Sequence, residues 1–310
     1  MNPVPFSCLC FFLVFSCALL LTNPVNAFIF VDYYCLGDTN YTANSPFESN
    51  LYELFRSLPG NASLTGFYND TKGTSPDQAY GLIQCRGDQE SQECHDCAGV
   101  AGTDITGYCP NSKSAILWFD ECLLHYSDSW FFSSIDINEV LLYNRQNVTN
   151  PDLFRDRVGQ LMGNLSSTVV NDTSKFLYAT REIGVNETES IYGLVQCTRN
   201  LNRDNCSNCL RMIISDLAVY GDSIGAQVHT GSCSARYEIY PFFNATVFPP
   251  PPPPALPPPP TSFPPPPESH SPLSQPPNTQ PPNIVDNSSG FLLRFSATQF
   301  AIFLVIVMAC

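Results

Sequence analysis

The sequence predicts an α+β protein: two tandem disulfide-rich domains, each an antiparallel sheet packed with two helices. Two observations carry this. A cysteine pattern occurs twice. Tyr80-Gly-Leu-Ile-Gln-Cys85 is followed by Cys94 and Cys97, and Tyr192-Gly-Leu-Val-Gln-Cys197 by Cys206 and Cys209, so both copies read Cys-x8-Cys-x2-Cys. The echo runs on from Cys122 and Tyr126 to Phe131-Phe132, and from Cys233 and Tyr237 to Phe242-Phe243. A repeat of this size is one fold used twice. Within each copy, a helix-periodic apolar stripe is followed by segments rich in β-branched and aromatic residues.

Composition divides the chain into residues 1–27, 28–136, 137–248, 249–282 and 283–310. Residues 1–27 read as a signal peptide. Phe11 to Leu21 is apolar but short for a bilayer, and Val25-Asn26-Ala27 places small residues where a peptidase cuts. The rest then enters an oxidising space, where cysteines form disulfides.

In 28–136, Ser45-Pro46-Phe47-Glu48 is a capping box with Pro at the first helical position. Phe47, Leu51, Leu54, Phe55 and Leu58 form a helical stripe, and Pro59-Gly60 is expected to stop it. In 137–248, Asn150-Pro151 opens the matching helix, with Phe154, Val158, Leu161, Met162 and Leu165 as its stripe. These stripes read as core. The stretch before each triple-cysteine pattern reads as a strand, and Asn205 to Leu217 as a second helix. Ala115 to Tyr126 and Ala226 to Tyr240 read as strands.

Six cysteines lie in the first repeat (35, 85, 94, 97, 109 and 122) and four in the second (197, 206, 209 and 233). Cys94-His95-Asp96-Cys97 has the spacing of half a zinc site or a redox pair. The chain has four His, none with finger spacing, and the surroundings lack the βαβ context of a redox motif. Structural disulfides fit the compartment better, and no metal or cofactor is expected. Repeat 2 lacks counterparts of Cys35 and Cys109, and Tyr220 takes the Cys109 place counted back from Cys233. Two cysteines missing together point to a mutual bond, Cys35–Cys109. The remaining four of a repeat allow three pairings.

Asn-x-Ser/Thr glycosylation candidates stand at Asn40, Asn61, Asn69, Asn147, Asn164, Asn171, Asn186, Asn244 and Asn287. Asn205 also begins such a triplet, but a cysteine is its middle residue. Residues 249–282 are dominated by proline and read as a polyproline II spacer. The alternative is a hydroxylated segment that contacts the cell wall. In 283–310, Phe300 to Cys310 is an apolar end too short to span a bilayer as a helix. Small residues at Ser288 and Ser289 fit a glycosylphosphatidylinositol cut site, with a marginal transmembrane helix or free secretion as alternatives.

Tyr80–Cys85, Cys94, Cys97, Cys109 and Cys122, with Tyr192–Cys197, Cys206, Cys209 and Cys233, resemble the plant ginkbilobin-homologous domain, also called the stress-antifungal domain. The resemblance covers nearly all of 28–248. Tandem copies look like the ectodomains of plant cysteine-rich receptor-like kinases and like kinase-free secreted and plasmodesmata-located relatives. It implies the pairing Cys35–Cys109, Cys85–Cys94, Cys97–Cys122, Cys197–Cys206 and Cys209–Cys233. It also implies a mannose site built from an Asn after the first cysteine, an Arg seven residues after the fifth and a Glu five residues after the sixth. Leu36, Ile116 and Ser127 hold those places in repeat 1. In repeat 2, Gln227 replaces the Arg and Glu238 matches, so Gln227 and Glu238 are the candidate ligand-binding residues. Apart from that role, Glu238 reads as an exposed strand carboxylate, and the other acids as members of solvated loops.

No His-Glu-x-x-His, Gly-x-Ser-x-Gly, phosphate loop or kinase signature occurs, so no enzyme is expected. A net charge of −14 argues against nucleic acid and anionic membrane surfaces as partners. The expectation is a non-catalytic recognition module at the plant cell surface, in stress or defence responses. It would bind a protein ectodomain or a wall or microbial glycan, and reach the membrane through its C-terminal tail. A carbohydrate-binding antifungal protein and a proline-rich wall adhesive are the alternatives.

Overall fold

A computed structural model describes residues 27–36, 39–174 and 176–244. The proline-rich stretch, Asn287, Ser288, Ser289 and all but the last residue of the expected signal peptide lie outside the described residues.

The first repeat runs β1 (Phe30–Cys35), α1 (Pro46–Ala62), β2 (Phe67–Lys72), β3 (Ala79–Cys85), α2 (Ser91–Tyr108), β4 (Ala115–Phe119) and β5 (Cys122–Ser127). The second repeats this order as β6 (Glu139–Tyr143), α3 (Pro151–Asn171), β7 (Tyr178–Gly184), β8 (Ser190–Cys197), α4 (Arg203–Ala218), β9 (Gly225–Thr230) and β10 (Cys233–Glu238). The antiparallel sheets have the orders β1-β4-β5-β3-β2 and β6-β9-β10-β8-β7, one topology used twice. The segments expected as strands after the helices form the hairpins β4–β5 and β9–β10.

Caps fix where the long helices begin. The Ser45 hydroxyl accepts from the Glu48 N–H at 3.3 Å, and Glu48 returns its carboxylate to the Asn44 N–H. Asn150 Oδ1 accepts from the Leu153 N–H at 3.4 Å. Each cap satisfies a donor that the first turn leaves unpaired. The expected stop at Pro59-Gly60 is corrected: α1 continues through Pro59 to Ala62. Proline removes one N–H from the ladder. Here that loss falls in the last turn, and Ala62 is fully buried, so packing keeps the turn helical.

Each sheet lays one face on its two helices. The stripe from Phe47 to Leu58 packs with Ile83, Leu117, Leu124 and Tyr126 in one core, and the stripe from Phe154 to Leu165 with Val195, Val228, Ala235 and Tyr237 in the other. Disulfides run through both cores: Cys85–Cys94, Cys97–Cys122, Cys197–Cys206 and Cys209–Cys233, with Cα atoms 5.6, 6.2, 5.7 and 6.1 Å apart. Cys94 and Cys97 therefore bond to different strands and not to each other. Cys35–Cys109 ties β1 to the end of α2, with Cα atoms 5.5 Å apart.

Strand alternation sends the remaining side chains to the helix-free faces. Those faces form the seam between the repeats. Ile116 and Trp118 of β4 cluster with Val140 of β6, flanked by Val31, Leu36 and Leu123. The buried Trp118 needs a partner for its indole N–H, and donates to the Thr230 carbonyl at 3.1 Å. The glutamines preceding Cys85 and Cys197 also meet there. Gln196 Nε2 donates to the Cys85 carbonyl at 2.9 Å, and Gln84 Oε1 accepts from the Arg199 N–H at 3.2 Å. A Cβ on Gly87 would overlap the Tyr178 ring, so this approach of the repeats requires glycine.

Candidate functional site

The seam opens at one end into a cleft of about 320 Å³, the size of a small ligand pocket. Phe30 from β1, Leu142 from β6, and Tyr240 and Phe242 after β10 supply apolar walls, and Gln227, Asp120 and Arg236 supply polar groups. Both repeats contribute, so neither builds the cleft alone.

Its polar floor is part of a largely buried ionic chain. Arg86 Nη1 donates to Asp120 Oδ2 at 2.7 Å and Arg86 Nε to Asp88 Oδ1 at 2.6 Å. Arg236 Nη1 donates to Asp120 Oδ1 at 2.9 Å, and its Nε to Glu238 Oε1 at 3.0 Å. Asp120, in the β4–β5 turn of the first repeat, thus holds one arginine from each repeat. Arg86 also donates to the Phe242 carbonyl at 3.3 Å, and Asp88 accepts from the Asn244 N–H at 2.8 Å. Burial alone would lower the Arg86 pKa, but Asp88 and Asp120 override it and hold the guanidinium charged. The Phe242 ring lies against the Arg236 guanidinium, 4.2 Å from its centroid.

The expectation of Glu238 as an exposed carboxylate is corrected. Only 8 % of it is exposed, because the Arg236 arm crosses it and Gly225, its cross-strand partner, leaves room a Cβ would fill. Burial raises its pKa, partly opposed by Arg236. Asp88 and Asp120 likewise belong to the buried chain and not to solvated loops. Gln227 pairs with Arg236 in the β9–β10 register, lines the cleft, and sets Oε1 3.1 Å from His229 Nε2. Gln227 and Glu238 therefore share one face with Arg236 between them.

In repeat 1 the three corresponding places are closed. Ile116 is fully buried, Leu36 packs on its cluster, and Ser127 is buried, its hydroxyl accepting from the Ser129 N–H. The face that could carry polar ligand groups is used for docking the second repeat. No signal in the sequence marks Arg86, Asp120 or Arg236 as one unit, since Asp120 and Arg236 stand 116 residues apart.

Among the described sequon residues, Asn40, Asn61, Asn69, Asn147, Asn164, Asn171, Asn186 and Asn244 are exposed. Asn205 is half-buried, and its Nδ2 donates to the Ser133 carbonyl at 2.8 Å.

The profile of the Stress-antifung family, described as salt stress response/antifungal, matches residues 34–129 and again 143–240. The chain belongs to this family. It is 39 % identical over 220 residues to cysteine-rich repeat secretory protein 38 of Arabidopsis thaliana, covering 70 % of this chain and 86 % of that protein. It is 39 % identical over 215 residues to the antimicrobial ginkbilobin-2-like protein of Castanea crenata, covering 69 % and 88 %. Cysteine-rich receptor-like protein kinase 10 of Arabidopsis thaliana is 41 % identical over 205 residues, but the match covers 30 % of that kinase. The tandem DUF26 ectodomain of the Arabidopsis thaliana receptor-like protein PDLP8 superposes with a TM-score of 0.61 at 28 % identity, covering 68 % of this chain and 98 % of that one. The Stress-antifung fold is thus present here as a tandem ectodomain-type pair. Among the described residues, no helix is long and apolar enough to cross a membrane.

Proposed function

We propose that this Stress-antifung protein is a non-catalytic extracellular recognition module, displayed at the plant cell surface and acting in stress or defence. Its contact surface is the cleft between the repeats. The observation that carries this is the cleft itself: aromatic and apolar walls from both repeats around a rigid ionic floor, with the Gln227 amide at its edge. Rigid aromatic anchors beside a few fixed polar groups are what recognition surfaces are made of. The partner is a protein ectodomain or a glycan. Membrane attachment through a lipid anchor at Ser288 or Ser289 belongs to the same reading, and phospholipase C release from intact cells tests it.

The secreted chain, with disulfides formed, is screened against plant ectodomains and a glycan array beside Tyr240→Ala and Gln227→Ala. Saturable binding weakened at least tenfold by either substitution supports the cleft. Binding unchanged by both moves recognition elsewhere on the molecule.

The carbohydrate-binding reading is favoured by one observation: Gln227 offers an amide next to aromatic faces. Array binding to a single sugar class, lost in Gln227→Ala, would select it over a protein partner. The wall-adhesive reading rests on residues 249–282, outside the described residues.

A further inference from the structure

The missing disulfide of repeat 2 has a structural replacement. Cys35 pairs with Ala115 across β1 and β4, and Tyr143 pairs with Ala226 across β6 and β9. Ala115 and Ala226 hold the same place relative to Cys122 and Cys233, so Tyr143 stands where Cys35 does. Counting back from the same cysteines, Tyr220 stands where Cys109 does. Neighbouring contacts agree. Tyr126 Oη donates to the Ser112 carbonyl at 2.8 Å, and Tyr237 Oη to the Ser223 carbonyl at 3.1 Å. The Tyr143 and Tyr220 rings stack with centroids 4.4 Å apart and planes 27° from parallel. Tyr143 is 51 % exposed.

We propose that Tyr143 and Tyr220 are a site of oxidative phenol coupling, giving repeat 2 a covalent tie between β6 and the end of α4 at the position where repeat 1 has Cys35–Cys109. The oxidant is a haem peroxidase with hydrogen peroxide. Each phenol loses one electron and its hydroxyl proton. The two phenoxyl radicals then join through ring carbons ortho to oxygen, and the displaced ring protons restore both hydroxyls. Peroxide takes up the two electrons and two protons and leaves as two waters. The stack holds the rings near each other, so coupling within one chain outruns coupling between chains. The spacing is longer than a bond, so the rings must slide over one another, and the exposure of Tyr143 gives it room. Tyr33 and Tyr108 also stack, at 4.8 Å, but beside an existing disulfide, where a second tie adds little.

The test treats the full chain, disulfides intact and dilute, with a haem peroxidase and hydrogen peroxide, with free tyrosine as a control for the reagent. The expected product is a monomer lighter by two hydrogens, with the blue fluorescence of a biphenol. Its peptide map joins the Tyr143 and Tyr220 peptides. Tyr143→Phe and Tyr220→Phe each keep the ring stack but abolish that linked peptide, while Tyr33→Phe leaves it unchanged. Links confined to other tyrosines, links only between chains, or no link while free tyrosine couples would each overturn the proposal.

Discussion

His125 and Arg236 occupy the same place in the two repeats, and each lies against an equivalent phenylalanine. Both stand three residues after the last cysteine of their repeat, and Phe131 and Phe242 stand nine after it. Phe131 stacks on the His125 ring at 3.9 Å, and Phe242 covers the Arg236 guanidinium at 4.2 Å. The repeated Phe-Phe pair thus caps the helix-free face in both copies. Beneath it lies a neutral ring in one repeat and a charged fork in the other, and the two respond differently to perturbation.

The His125 difference appears in the acid limb. His125 is buried, its Nδ1 has no hydrogen-bond partner among the described residues, and burial pushes its pKa down to about 3. The unfolded chain takes up a proton near the ordinary histidine value, while the folded chain refuses it. Stability is therefore lost as pH falls below about 6.5, by up to about 1.4 kcal/mol per pH unit, until about pH 3. Denaturant midpoints between about pH 7 and 4.5 should fall for the native chain and fall less for His125→Phe. Equal slopes in the two proteins would refute this role.

Arg236 behaves as the link of the buried chain. Arg236→Ala leaves Asp120 and Glu238 without one of their cations, and removing one member of a buried pair costs about 3–5 kcal/mol. Arg236→Lys keeps the charge but cannot span both carboxylates with a planar fork, so it should recover part of the loss. Equilibrium unfolding of the three proteins checks the order, and an Arg236→Ala loss below about 1 kcal/mol would contradict the geometry.

Gly87 tests the seam. A methyl group there meets the Tyr178 ring of the other repeat, and overpacking of this kind costs about 1–3 kcal/mol. Tyr178→Ala opens the space, so the double substitution should cost less than the sum of the single ones. Additive losses would mean that the two residues do not meet.

Tyr143→Cys with Tyr220→Cys should restore the absent bridge. It would close a loop of the same order as the 74-residue separation of Cys35–Cys109, which stabilises by about 2–4 kcal/mol. Thiol titration and unfolding with and without reductant measure it. Two free thiols in the folded protein would show that the backbones are not aligned as described.

The fold class was legible because its signals are local. Ser45 and Asn150 announce helix starts, the stripes from Phe47 and Phe154 have helical period, and the triple-cysteine pattern marks the repeat. Pro59 misled because its cost depends on position within the helix and on the burial of Ala62, which sequence does not show. The site was much less legible. Gln227 and Glu238 were pointed to only by the resemblance to the ginkbilobin-homologous domain, and exposure on a strand depends on what packs over the face. Glu238 is covered by Arg236, and Asp120, which fixes Arg236, arrives from the other repeat.

Ile116 and Leu36 turn the helix-free face of the first repeat into an apolar surface, whereas Gln227 and Arg236 keep that of the second polar. The copies have consequently ceased to be interchangeable parts. A chain built with their order reversed would not be an equivalent molecule, and a first copy expressed by itself would present a sticky face to its own kind. The duplication keeps one topology in both copies and gives their facing surfaces different work: one is apolar, the other carries the polar groups of the cleft.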